Sequence, residues 1–302
     1  MTTTQTKALI SQWQAWLLAA RPKTLTASLI PVLAGTALAN GSFGIALFAL
    51  LTAICIQIGT NLINDALDFA KGTDTKERLG PQRVTQSGLI PQKIVYFGGL
   101  VTFAIGLLCS LPLMIKGGWP IVLLMTASIA CGYLYTGGPK PLSYLGVGDI
   151  FVILFYGLAS TMAVAYLQSG KVIDYSFIAG LQIGFLATVL IAINNLRDCQ
   201  GDAKANKLTI PVRFGVNAGR IEISCMALLP FLLNIYWFYS GYQLAAILPF
   251  LTLPLAIKIV YKIWKTYPGR IYNDFLGQAA LLHLLFGILL TIGFYGGSKF
   301  SF

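Results

Sequence analysis

Apolar residues run along this chain in long continuous stretches. Nine stand out, at 24–40, 43–64, 93–115, 119–137, 145–168, 175–196, 217–240, 242–264 and 274–297. A helix needs about 20 apolar residues to cross the bilayer core. A membrane barrel would instead show segments of roughly ten residues alternating apolar and polar. The pattern therefore predicts an all-α fold, a polytopic membrane bundle of about nine transmembrane helices. Loop residues separate several stretches, among them Gly117-Gly118, the GGPKP run at 137–141 and Pro268-Gly269.

Composition agrees with that pattern. The chain has 302 residues, 56% hydrophobic and only 10% charged, with a mean hydropathy of +0.75. A soluble domain is usually about 25% charged. The N-terminal WQAWLLAA precedes its charges, RPK, whereas a signal peptide carries charge before its apolar core. The order predicts an interfacial helix over 8–20, with Trp13 and Trp16 at the headgroups.

The bases set an orientation. Every Lys and Arg except Lys116, Lys171 and Lys299 falls on one side of the nine-span pattern. Positive charge marks the cytoplasmic side of an inner (cytoplasmic) membrane protein. The N-terminus and the charged loops are thus expected inside, and the C-terminus outside. The net charge of +11, gathered on one face, suits lipid headgroups or an anionic substrate; no nucleic-acid motif is present. The five cysteines show no metal-binding spacing. They read as small apolar fillers, with Cys199 set between two acids. A lone histidine, His283, reads as packed or hydrogen-bonded within the last span.

The acids are few and clustered. Six of the ten occupy two short segments, each at the charged end of a span. Asp65, Asp68, Asp74 and Glu77 follow the second span; Asp198 and Asp202 follow the sixth. If both spans continue as helices, Asn61, Asn64/Asp65 and Asp68 share one face. Asn194, Asp198 and Asp202 then share another. Like charges at that spacing repel, and a divalent cation relieves the repulsion. Mg²⁺ takes oxygen ligands, often one or two carboxylates plus substrate phosphates. Lys71, Lys76, Arg78 and Arg83 flank the first ladder, and Arg197, Lys204, Lys207 and Arg213 the second. Arg forks match phosphate oxygens. The bland alternative is a charged loop whose acids pair with its bases. The two ladders also echo each other: Asn61-x₃-Asp65 with Pro81-x-Arg83, and Asn194-x₃-Asp198 with Pro211-x-Arg213. One domain made of two related halves, about 20–140 and 145–297, is the expectation.

The two segments resemble the motifs of the UbiA superfamily of intramembrane aromatic prenyltransferases. Asn61, Asn64, Asp65 and Asp68 look like its Asn/Asp-rich motif, and Asp198 and Asp202 like its DxxxD motif. RPKTLTASLIPVLAGTAL at 21–38, RLGPQR at 78–83 and GYLYTGGPKPLSYLGVGD at 132–149 further resemble the branch that accepts 1,4-dihydroxy-2-naphthoate. Many members carry an acid four residues after the Asp68 position. Here Gly72 stands there and Asp74 follows, a shift that also resembles that branch and leaves a metal contact by Asp74 open.

The resemblance implies transfer of an isoprenyl group from a polyprenyl diphosphate to the naphthoate, with loss of CO₂ and diphosphate, giving demethylmenaquinone. It implies Mg²⁺ held by Asp65, Asp68, Asp198 and Asp202 with Asn61 and Asn64. It implies diphosphate contacts from Lys71, Arg78, Arg83, Arg197, Lys204 and Lys207. Tyr133, Tyr135 and Tyr156 are candidates to face the allyl cation, and Lys140 to meet the acceptor. Asp149, a few residues into the fifth span, is expected either to serve the acceptor or a proton transfer, or to pair with a base such as Lys140. Acceptors such as 4-hydroxybenzoate or homogentisate remain alternatives within the enzyme class. A cation transporter is the alternative outside it, although transporter sites tend to lie near the midplane.

Overall fold

The computed structural model describes residues 11–73 and 78–297, and among them there are helices and loops only. Helix α1, Gln12–Ala20, starts on a capping box in which Ser11 and Gln14 satisfy each other's backbone N–H. Arg21 follows at φ 54° and turns the chain into the bundle. Helices α2 (Thr26–Leu38), α3 (Phe43–Ala70), α4 (Gln92–Gly117) and α5 (Trp119–Leu134) form the first half. Helices α6 (Gly148–Ser169), α7 (Tyr175–Lys204), the short α8 (Ile210–Phe214), α9 (Val216–Tyr239), α10 (Gln243–Lys265) and α11 (Tyr272–Gly297) form the second.

Nine apolar helices thus match the nine apolar stretches, and seven of them are long and apolar enough to cross a membrane unaided. Helices α2 and α5 differ from expectation in length. At 13 and 16 residues they rise about 20 and 24 Å, short of a bilayer core of about 30 Å. Two others are not uniform. Helix α6 contains a π stretch, Ile153–Ala159, and α10 a 3₁₀ stretch, Leu248–Thr252.

The centre is α7, the most enclosed of the long helices. Helices α6, α9 and α11 pack around it, and α2 packs on α11 and α6. Small residues permit the closest crossing. A Cβ on Gly157 would lie 2.4 Å from the Gly180 oxygen and 2.5 Å from Gly184 Cα, so α6 and α7 touch backbone to backbone. A buried polar knot pins α9: Gln182 donates to Pro230 O and Asn234 Oδ1, and Trp237 donates to Gln182, each at 2.7 Å. His283 is buried as expected, but neither ring nitrogen has a hydrogen-bond partner among the described residues.

The site is placed by two overhangs. Helices α3 and α7 continue past their apolar parts, to Ala70 and Lys204. Both acid ladders are therefore helical, as their spacing predicts.

Candidate active site

The first ladder is built into a buried polar network. Asn64 is its hub. Its Nδ2 donates to Asp68 Oδ2 at 3.0 Å and to Thr136 Oγ1 at 2.6 Å. Its Oδ1 accepts from Arg21 at 2.9 Å and Arg83 at 2.7 Å. Asp68 is 2% exposed, with Arg83 and Lys207 each 3.7 Å from Oδ2. Its other oxygen, Oδ1, is buried and has no hydrogen-bond partner among the described residues. Lys71 and Lys207 both lie 5.0 Å over the Tyr144 ring, and Lys71 donates to Thr136 O. Burial holds Lys71 below the usual lysine range; Asp68 opposes that depression and Lys207 adds to it.

The second ladder approaches from α7. Arg197 grips Asp198 through two bonds, of 2.9 and 2.6 Å, the planar fork geometry expected of this pair. Arg197 also donates to Asn273 at 2.7 Å, and Asn273 donates to Leu79 O at 2.9 Å. Gly80 completes the junction: a Cβ there would sit 2.5 Å from an Arg197 nitrogen, which fits a glycine in the RLGPQR run. Asp202 lies in the field of Lys207, Asp198, Arg78 and Asp68. The two ladders therefore meet in one region.

Several expected site residues stand elsewhere. Asp65 does not face its ladder partners. Its carboxylate accepts from the backbone N–H of Val84 and Thr85 at 3.2 and 3.4 Å, and from the Thr85 hydroxyl. It braces the 78–90 loop. Asn61 donates to Ala20 O at 3.1 Å and ties down α1. Tyr133 meets Tyr96, oxygen to oxygen, at 3.3 Å. Lys140 and Lys204 are exposed. Asp149 is buried, but it accepts from Asn195 at 3.2 and 3.4 Å instead of pairing with Lys140. Asp74, Lys76 and Glu77 lie outside the described residues.

Tyr135 and Tyr156 do line a cavity of about 140 Å³. Asp68, Asp149 and Arg21 all act electrostatically on the Tyr135 phenol. Four contributors escaped the sequence reading: Arg21, Thr136, Tyr144 and Asn273. The RPK, RLGPQR and GYLYTGGPKPLSYLGVGD runs pointed toward Arg21, Gly80, Thr136 and Tyr144, but Asn273, at the start of α11, has no local signal.

The donors suit a hard divalent cation. They are oxygens throughout, and a buried carboxylate oxygen left unpaired costs about 1–3 kcal/mol. Among the described residues, no three acids are already gathered as a metal cage. Asp198 is held on Arg197, and Asp68 is flanked by bases.

A family model of UbiA prenyltransferases matches residues 28–285. The 1,4-dihydroxy-2-naphthoate octaprenyltransferase of Escherichia coli (strain K12) is 34% identical over 301 residues, covering 96% of this chain and 98% of that protein. The same-named protein of Bacillus subtilis (strain 168) is 29% identical, covering 90% and 89%. A UbiA homolog from Archaeoglobus fulgidus bound to DMAPP and Mg²⁺ superposes with a TM-score of 0.62 at 17% identity, covering 92% of this chain and 99% of that one. The apo UbiA homolog from Aeropyrum pernix K1 superposes at 0.68 with 15% identity, covering 90% and 97%. At such identities the structures establish the fold alone.

Proposed function

The chain belongs to the UbiA prenyltransferase family, and we propose that it transfers an isoprenyl group from a polyprenyl diphosphate to 1,4-dihydroxy-2-naphthoate. CO₂ and diphosphate leave, and demethylmenaquinone is the product. The naphthoate named in its relatives supports the acceptor. The observation that carries the chemistry is Asp68: a buried carboxylate with one oxygen unpaired among the described residues, flanked by bases and within the electrostatic reach of Tyr135, which lines an apolar cavity.

Asp68, Asp198 and Asp202, with Asn64 nearby, are the residues to hold Mg²⁺. When bound, the ion neutralises charge on the departing diphosphate. Lys71, Arg78, Arg83 and Lys207 surround the place where that diphosphate would sit. Asn64 fixes Asp68 and Arg83 together, so acid and base keep one geometry. Arg197 orients Asp198 and, through Asn273 and Gly80, closes the 78–90 loop over the second ladder. Tyr135 and Tyr156 present aromatic faces to the cavity, where an allyl cation is stabilised. The apolar wall excludes water from that cation. Asp149 stands behind the wall as a residue for the acceptor or its proton. The ladders lie on the cytoplasmic face, with the N-terminus inside and the C-terminus outside an inner membrane. The bases around Asp68 argue against a path for a free cation, which they would repel.

The test is direct. Purified protein in proteoliposomes receives Mg²⁺, geranylgeranyl diphosphate, and either 1,4-dihydroxy-2-naphthoate or 4-hydroxybenzoate. A demethylmenaquinone product, identified by mass and lost with EDTA or Asp68→Ala, is expected. A benzoate product alone would overturn the acceptor. Neither product would overturn the reaction.

A further inference from the structure

A second cavity lies behind the Arg197 junction. Arg78, Gln82 and Gln86 line it from the 78–90 loop, and Arg270 lines it from the turn before α11. Gly80 and Asn273 complete the wall. The volume is about 350 Å³, room for about a dozen waters. Among the described residues no carboxylate lines it, and Leu79 is its one apolar side chain. The rest of the lining is two guanidiniums and three amides, all able to donate.

The bases gather closely at Gly80. A Cβ there would lie 2.5 Å from one nitrogen of Arg197 and 3.3 Å from one of Arg78. Asp198 answers the Arg197 charge through its fork. Arg270 has no ion pair among the described residues. Neighbouring guanidiniums repel unless an anion sits among them. Arg forks match phosphate oxygens in pairs, and amide N–H groups suit the oxygens left over. An aromatic acid fits less well, because its ring would meet Leu79 alone.

The position of the pocket gives the anion a source. Arg78 lines it and also acts electrostatically on Asp202. Asn273 accepts from Arg197 at 2.7 Å and donates to Leu79 O at 2.9 Å, so one side chain ties the pocket wall to the second ladder. Gln82 and Arg270 are exposed, so the pocket also meets water. Given prenyl transfer as the reaction, we propose that this pocket binds the inorganic diphosphate product as it leaves, through Arg78, Arg270, Gln82 and Gln86. It does so without metal, since the ladders keep the carboxylates that Mg²⁺ needs. A basic site beside the first lets the anion leave by exchange, instead of escaping straight into water. Diphosphate added from outside fills the same pocket and slows release.

Two measurements test this. In the first, protein in neutral-lipid nanodiscs with EDTA is titrated with inorganic diphosphate by calorimetry. The wild type is expected to bind it, more weakly as salt rises. Arg270→Gln should weaken binding about tenfold, the scale of one lost charge-assisted bond. Arg270→Lys, which keeps the charge without the fork, should fall between the two. No binding by the wild type, or equal binding by Arg270→Gln, overturns the site. So does displacement of diphosphate when phosphatidylglycerol is built into the nanodiscs, which would assign the pocket to a lipid headgroup. The second measurement adds Mg²⁺, geranylgeranyl diphosphate and 1,4-dihydroxy-2-naphthoate. Added diphosphate should lower the apparent kcat of the wild type. In Arg270→Gln it should raise KM alone, as competition at the metal site does. The same inhibition pattern in both proteins overturns the release role. Single-turnover transfer by the wild type reports on the reaction itself, and the EDTA titration needs no turnover. Failure of the pocket and failure of prenyl transfer are thus read separately.

Discussion

The two acid ladders look alike in the sequence and are built differently. In the first, Asn64, Asp65 and Asp68 are all buried, and Asp68 is 2% exposed. In the second, Arg197 is the buried member, while the Asp198 side chain is 23% exposed. The cause is what covers each. The 78–90 loop folds back on α3, so that Arg83, Val84 and Thr85 all donate into the first ladder. Helix α1 seals it from the other side through Arg21 and Asn61. Over the second ladder, Leu79 and Gly80 reach Asn273 and Arg197. A preorganised half thus faces an accessible half.

The sharpest break of that contrast is at Asp68. If its unpaired oxygen is a metal ligand, Asp68→Ala should lower kcat by about a thousandfold, the scale of losing one electrostatic contact to developing charge. EDTA on the wild type should do the same, and Asp68→Ala should show little further response to EDTA. A variant retaining a tenth of wild-type activity would remove Asp68 from the chemistry. Asp65→Ala should break something else. It strips the acceptor from two buried backbone N–H groups and one hydroxyl, at a cost of about 3 kcal/mol of stability. Thermal unfolding in detergent should shift clearly, while the kcat of the folded fraction falls far less than in Asp68→Ala. The reverse order of these two variants would mean that Asp65 is the ligand.

Arg197→Lys probes the other half. A lysine cannot hold Asp198 by a fork and Asn273 at the same time. Activity should fall about tenfold, as befits a positioning residue whose effect passes through Asp198. Raising Mg²⁺ should recover part of the loss, because the fault lies in how the ligand is presented. A loss indifferent to Mg²⁺ would place Arg197 on the diphosphate instead.

This contrast also shows what the sequence could disclose. Apolar run lengths gave the nine helices, and the spacing of Asn and Asp gave both overhangs. The spacing allowed Asn64 and Asp65 alike on the ladder face, although consecutive residues differ by about 100° around a helix. Asn64 and Asp68 share a line, and their bond proves it. Asp65 sits to one side, and only the returning loop decides that it faces Thr85. The network's distant members could not be read at all. Thr136 lies 72 positions from Asn64, and Asn273 lies 194 from Leu79. Their neighbours along the chain carry no trace of these contacts. The π stretch was equally hidden, since a one-residue shift in register leaves an apolar run apolar.

The smallest effect is expected at two bases that the resemblance had placed in the site. Lys140 and Lys204 are exposed, and neither has an ion pair among the described residues. An exposed cation at such a distance acts through water and salt, which screen it beyond about 8–10 Å. Lys140→Ala and Lys204→Ala should each change kcat/KM by no more than about twofold, the usual range for surface substitutions. Their difference lies in salt dependence. Lys204 ends the helix that carries Asp198 and Asp202, so it adds to the field that draws an anionic diphosphate. Lys204→Ala should therefore flatten the ionic-strength dependence of kcat/KM slightly, and Lys140→Ala should leave it unchanged. A tenfold loss at Lys140 would show that the 137–141 loop closes onto the substrate, and the site would then extend beyond the two ladders.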